Sequence, residues 1–231
     1  WFFCWNKNVT SYPRDHKKIS SEELSYIENN APASEAITQI PLSKLLSNLP
    51  FIAIIVATFA NNWSLLVFLS FLPKFVDNEL GVDLSSGSFL VLIIIPSIVS
   101  VIALNLGGYI ADTLIKKGYK VIKVRKSANS IGFFGSAACL FTIPFLNDVY
   151  TIIGLICMTN IFTGAAAGGF GVNHADLGPK STGTLVGIAS TLGTAAGVLG
   201  NIISGIVLDL TQSWTLVFFI AAGLLVFGGF F

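Results

Sequence analysis

Residues 45–73 read LLSNLPFIAIIVATFANNWSLLVFLSFLP, a run of 29 residues between Lys44 and Lys74 without one charge. Coiled as an α-helix, such a run spans about 43 Å, more than the roughly 30 Å hydrocarbon core of a bilayer. Five further uncharged runs follow. They hold 28 residues between Asp83 and Asp112, 21 between Lys126 and Asp148, 27 between Asp148 and Asp176, 28 between Lys180 and Asp209, and 22 after Asp209. A stretch of about 18 or more apolar residues is a membrane-span candidate, and six in succession define an integral membrane protein. The composition agrees. Of 231 residues, 53% are hydrophobic and only 11% charged, against about 25% charged in a typical soluble domain. A soluble globular enzyme is excluded, and so is a nucleic-acid binder, because the net charge is only +1.

The predicted fold is therefore an all-α membrane protein, a six-helix transmembrane bundle with spans near 46–73, 86–111, 127–147, 150–173, 180–208 and 213–231. Residues 1–5 are read as the end of a further, truncated transmembrane helix, and 6–45 as a polar segment. Both ends of the chain interrupt apolar runs, so a longer protein is expected. Within the polar segment, Ser20 three residues before Glu23, with Ile19 able to pack on Leu24, is a helix-start signature, and a short surface helix is predicted over 21–30. The connections between spans are short, so neighbouring helices should run antiparallel. Pro96 is placed as a kink in its helix, and Pro144 near the end of the next.

Basic residues set the orientation. Lys116, Lys117, Lys120, Lys123, Arg125 and Lys126 crowd one connection, five more lie in 6–45, and Lys180 falls on the same side, leaving Lys74 alone opposite. Positive-inside bias places 6–45, 112–126 and 174–180 in the cytoplasm.

Polar side chains inside the spans need a reason to be there. Asn61 and Asn62, flanked by Trp63, lie near the middle of the first run, and Asn160 lies within the fourth. Two readings apply: helix–helix hydrogen bonds, or the wall of a polar cavity at the membrane midplane where transporters hold their substrate. Glycines at four-residue spacing (Gly164 and Gly168, Gly183 and Gly187, Gly193 and Gly197) let helix backbones approach closely. At the basic end, Asp112 closes the segment Gly107-Gly108-Tyr109-Ile110-Ala111, and His174 and Asp176 lie in a connection before Gly178-Pro179. Cys4, Cys139 and Cys157 show no disulfide or zinc spacing, no metal site is indicated, and HExxH and intramembrane aspartyl-protease patterns are missing. An enzyme is not expected.

These residues carry a resemblance. Gly108 to Asp112 followed by Lys116-Lys117 is similar to the cytoplasmic Gly-x-x-x-Asp loop motif of the major facilitator superfamily. Ile19-Ser20-Ser21-Glu22-Glu23-Leu24-Ser25-Tyr26-Ile27, then Phe59-Ala60-Asn61-Asn62-Trp63 with Leu72-Pro73, then Asn173-His174-Ala175-Asp176-Leu177-Gly178-Pro179, then Ser213-Trp214 with Val217-Phe218, resemble that superfamily's anion:cation symporter branch. That branch holds phosphate, sialic-acid and vesicular glutamate carriers. The resemblance implies the C-terminal half of such a transporter, with residues 6–45 as the central loop and a six-helix N-terminal half as its missing partner. It implies a small anionic solute, symport with H⁺ or Na⁺, alternating access, and no cofactor. Asn61, Asn62, Trp63 and Asn160 would lie on the substrate path, and Asp112, Arg125, His174 and Asp176 at the cytoplasmic gate. Vesicular glutamate carriers have Arg where this chain has Asn61, which disfavours a dicarboxylate and leaves inorganic phosphate first, with acidic sugars or other organic anions as alternatives. A non-transporting membrane interaction module on the same fold is the reading of a different class.

Overall fold

A computed structural model describes residues 1–30, 47–81, 87–178 and 181–231, with side chains unassigned at 80 and 87–92. Pro179 and Lys180, the latter expected among the cytoplasmic basic residues, lie outside the described residues. The chain divides into two compact units, residues 1–39 and 40–231.

In the first unit, α1 (Phe2–Asn8) is followed by a 3-10 turn at Pro13–Asp15 and by α2 (Ser21–Asn30). The α2 start is held as its sequence suggests, with the Glu23 amide donating to Ser20 Oγ at 3.1 Å.

The second unit is built from α3 (Leu49–Leu80), α4 (Gly87–Lys116), α5 (Val121–Thr142), α6 (Val149–Ala166), α7 (Val172–Leu177), α8 (Thr182–Thr211) and α9 (Trp214–Phe230). Among the described residues five helical stretches are long and apolar enough to cross a membrane, and α9 adds a sixth, shorter apolar helix of 17 residues. Helices outrun the uncharged runs that announced them. Asp77 and Glu79 are helical in α3, and Asp112 lies inside α4, a turn before its last residue, Lys116. Charge marks where lipid stops, and the helix continues into the polar interface because nothing there breaks it. Breakers do end the elements. Gly81 (φ 61°) closes α3 in the left-handed region, and Pro144 sits in a 3-10 turn at Ile143–Phe145. Asp148 opens α6 by accepting from the Thr151 amide at 2.8 Å.

Between α6 and α7 the chain keeps helical direction through a π turn, Ala167–Gly171. His174 and Asp176, read from sequence as members of a connecting loop, therefore stand on a helix. Val172-Asn173-His174-Ala175-Asp176-Leu177 contains no breaker, and the stop comes only at Gly178.

Most helix pairing is not sequential. α8 packs on α3, α3 on α9, α9 on α5, α5 on α6, and α6 on α4. The main core lies along this row, with Trp63, Val67 and Phe75 of α3, Phe133 and Leu140 of α5, and Trp214 and Phe218 of α9. Phe75 meets Trp214 and Phe218 edge to face, with centroids 5.4 and 5.1 Å apart. Small residues allow the tightest crossings. A Cβ on Gly168 would lie 2.7 Å from the Gly107 carbonyl oxygen, so the π turn and α4 meet backbone to backbone.

Candidate functional site

The basic end of the second unit gathers charges from separate helices. Arg125, in the first turns of α5, is only 8% exposed. Its Nε donates to Asp176 Oδ2 of α7 at 2.9 Å, and its Nη1 donates to the Gly168 carbonyl in the π turn at 2.8 Å. Asp112 of α4 stands at 4.0 Å from Nη1 with a largely exposed side chain. One guanidinium thus joins α5 to α7 and to the π turn, with α4 at the margin. The fork of N–H groups suits this, since it reaches a carboxylate and a carbonyl at once. The carbonyl is available because π geometry displaces the regular i to i+4 ladder. Close approach makes the reach possible: a Cβ on Gly169 would sit 2.7 Å from the Arg125 carbonyl oxygen and 2.8 Å from the Asn129 amide.

His174 is buried on the same short helix as Asp176. Its Nδ1 lies 3.3 Å from the Gly171 carbonyl, and its Nε2 has no hydrogen-bond partner among the described residues. Of the four gate residues expected from sequence, Asp112, Arg125 and Asp176 come together directly, and His174 lies two residues from Asp176 on the same short helix.

The mid-span residues divide. Asn61 and Asn62 are half-buried on α3, and neither amide makes a hydrogen bond among the described residues. Asn62 is pressed against α8 at Gly193. Trp63 is buried on the same seam, its ring 3.1 Å from where a Gly200 Cβ would stand, and its Nε1–H is unpaired. Asn160 turns elsewhere, donating to the Pro96 carbonyl of α4 at 3.2 Å. It fastens α6 to α4 and does not join the Asn61–Trp63 group. The helix–helix reading of intramembrane amides therefore applies to Asn160, and also to Asn129, which donates to the Gly228 carbonyl of α9 at 3.4 Å.

Sequence reasoning missed the Gly168 carbonyl as a partner of Arg125. The only signal was Gly168-Gly169 in a helix that otherwise lacks reason to loosen. Asn201 of α8, visible in the sequence as another intramembrane amide but not placed on the path, has a buried Oδ1 with no partner among the described residues, on the helix that receives Trp63. Three or more His, Cys, Asp or Glu positioned for a metal ion do not occur among the described residues.

No family model matches the chain. Along 99% of its length it is 34% identical to "Ascorbate transporter, chloroplastic" of Arabidopsis thaliana, covering 42% of that protein. It is 32% identical to "Sodium-dependent phosphate transport protein 1, chloroplastic" of Arabidopsis thaliana, over 99% of the chain and 44% of the relative. Human "Sialin" matches at 31% over the whole chain and 47% of its own length. Along its whole length the chain is similar to curated anion transporters, phosphate transporters and sialin, in line with the anion:cation symporter resemblance read from its sequence. It spans about half the length, or less, of these curated relatives. With five long apolar helices and a shorter sixth among the described residues, and with relatives named as transporters, it is an integral multi-pass membrane protein. Those names favour a role other than catalysis.

Proposed function

We propose that this chain is the C-terminal half of a secondary anion transporter, moving inorganic phosphate or a small organic anion with H⁺ or Na⁺ by alternating access. One observation carries the reading. Arg125 clamps three separate segments together at the basic end, while mid-span α3 offers two amides, Asn61 and Asn62, that the bundle itself leaves unbonded. A rigid, charge-paired end and an uncharged donor-bearing middle are what a gate and a solute path require. The N–H groups of amides orient anion or hydroxyl oxygens without the desolvation penalty of a buried cation. Names of the relatives supply the solute range: ascorbate, phosphate and anions. Asn61 stands where dicarboxylate carriers of the resembling family have Arg, which favours a solute with a single acidic group.

The full-length protein in proteoliposomes tests this. Labelled phosphate, ascorbate and sialic acid are offered separately, with the Na⁺ and pH gradients imposed one at a time. Gradient-driven accumulation of one of them is expected, and Asn61→Ala should weaken its apparent affinity by about tenfold, the worth of one hydrogen bond to a charged group. No accumulation under either gradient would leave the membrane interaction module as the better reading. Accumulation with unchanged kinetics in Asn61→Ala would remove Asn61 from the path.

A further inference from the structure

The geometry points to a binding site for an anionic phospholipid on the exposed face of α5. Lys120 and Lys123 would hold the headgroup phosphate, and an acyl chain would lie along the seam between α5 and α9. The inference needs only a chain that spans a bilayer, so it stands apart from the transport reading. Charge comes first. The connection from α4 into α5 carries Lys116, Lys117, Lys120, Lys123 and Lys126, all exposed. None of the five forms an ion pair among the described residues, where the salt bridges belong to Arg125. Asp176 is engaged by Arg125, which leaves Asp112, at the margin of that pair, as the nearby acid in the second unit. α5 adds to the excess. It starts after Lys120 with no side-chain cap and no acid in its first turn, so the positive end of its dipole faces the same lysines. Like charges placed this way repel, and an anion at this end relieves them.

What makes the anion a lipid is the stripe that continues from the lysines. Lys120, Lys123 and Ser127 follow one face of α5 at helical spacing, and all are exposed. The same face continues as Ile131, Phe134, Ala138 and Phe141, again all exposed. From Ile131 to Phe141 it runs about 15 Å, half of the roughly 30 Å hydrocarbon core and so the depth of one leaflet. Orientation bias asks for lysines at this end, but not for their alignment with an apolar stripe of that length. A free anion has no use for the apolar half, whereas a phospholipid fits both. α9 supplies the second wall. Phe230 meets Phe134 edge to face with centroids 5.2 Å apart, and Phe219 stacks on Phe141 at 4.6 Å. Between these two pairs stand Ala138 on α5 and Gly223 on α9, small and exposed, and a Cβ on Gly223 would meet nothing within 4 Å. A flexible acyl chain follows such a notch, while the rings at either end hold a rigid helix away from it.

Native mass spectrometry of the full-length protein, released from a neutral detergent, tests this. Phosphatidylglycerol and phosphatidylcholine with identical chains are offered in competition, and wild type should prefer phosphatidylglycerol. Each lysine beside an anionic headgroup is worth about fivefold in affinity, so Lys120→Gln with Lys123→Gln should reduce the preference about 25-fold. If that pair does not fold, Lys123→Gln alone should reduce it about fivefold. Lys17→Gln with Lys18→Gln removes the same charge from exposed residues of the first unit and should leave the preference in place. Ala138→Trp fills the notch without touching a charge and should weaken phosphatidylglycerol binding by about fourfold or more, the worth of one displaced methylene. Soluble glycerol phosphate separates the two sources of a phosphate. If it binds at these lysines as tightly as phosphatidylglycerol does, the site serves a free anion and the lipid proposal falls. Equal retention of the two lipids by wild type, the result expected if protein covers this face, would overturn it. So would an equal loss in the two lysine pairs, or unchanged affinity in Ala138→Trp.

Discussion

Asp176→Asn isolates the interaction on which the basic end depends. The substitution keeps side-chain shape and lets the new amide oxygen accept from Arg125 Nε, so the change is the loss of one negative charge beside a guanidinium 8% exposed. Hydrogen bonds to charged groups contribute about 1.5–3 kcal/mol and neutral ones about 0.5–1.5 kcal/mol, so the expected loss is about 1–2 kcal/mol. Partial exposure of the Asp176 side chain keeps the figure in that range and away from the larger values of fully buried pairs. Asp112→Asn is the internal control. Its carboxylate is 4.0 Å away and largely in solvent, where an ion pair contributes about 0–1 kcal/mol, so its effect should be the smaller of the two. Reversible SDS unfolding of the full-length protein in mixed micelles measures both. A double-mutant cycle of Asp176→Asn with Arg125→Met should give a coupling of about 1–2 kcal/mol. Additivity within about 0.5 kcal/mol, or a loss at Asp112 as large as at Asp176, would refute the assignment of Asp176 as the principal partner.

Two further outcomes follow from local geometry. Gly168→Ala would place a methyl group 2.7 Å from the Gly107 carbonyl oxygen, forcing α4 and the π turn apart, whereas Gly223→Ala in α9 meets nothing within 4 Å. The first should sharply reduce folded yield in detergent size-exclusion profiles and the second should leave it unchanged; equal yields would contradict the packing of the π turn on α4. At the opposite end, the Thr151 hydroxyl and then the Thr151 amide hold the Asp148 carboxyl below its ordinary value. A lowered carboxyl stabilises the fold above its unfolded value, and that contribution disappears as pH falls through the folded value. Hydrogen exchange of the first turn of α6 should therefore stay protected at mildly acidic pH and lose protection only below it. Asp148→Ala should abolish that pH dependence, and its persistence would remove Asp148 as the cap.

What could be read in advance and what could not separates along one physical line. The apolar spans, the basic end and the Ser20 cap on the Glu23 amide were legible because hydropathy, charge and capping are properties of a few consecutive residues. The charges of the Arg125 cluster were legible as types and as residents of one end, since Asp112, Arg125 and Asp176 all sit where uncharged runs break. Their partners were not. Arg125 bonding to the Gly168 carbonyl depends on a π turn, and nothing in Ala167-Gly168-Gly169-Phe170-Gly171 distinguishes such a turn from an ordinary glycine-rich helix. Asn160 illustrates the converse. Its residue type suits a solute path or a helix contact equally, and only the position of Pro96 across the α4–α6 crossing resolves it.

By itself, then, the sequence determined that this protein lives in a bilayer, how its helices alternate across it, and which end is basic. These follow from the cost of placing charge in hydrocarbon, which each segment meets alone. The tertiary structure decided that α3 seats on α8, α4 on α6 and α5 on α9, with Asp176 on a helix facing Arg125. In lipid, apolar faces do not choose among one another by hydrophobicity, since the surrounding tails are equally oily. Close packing at glycines and the few polar bonds make the choice, and both depend on where every other helix already stands.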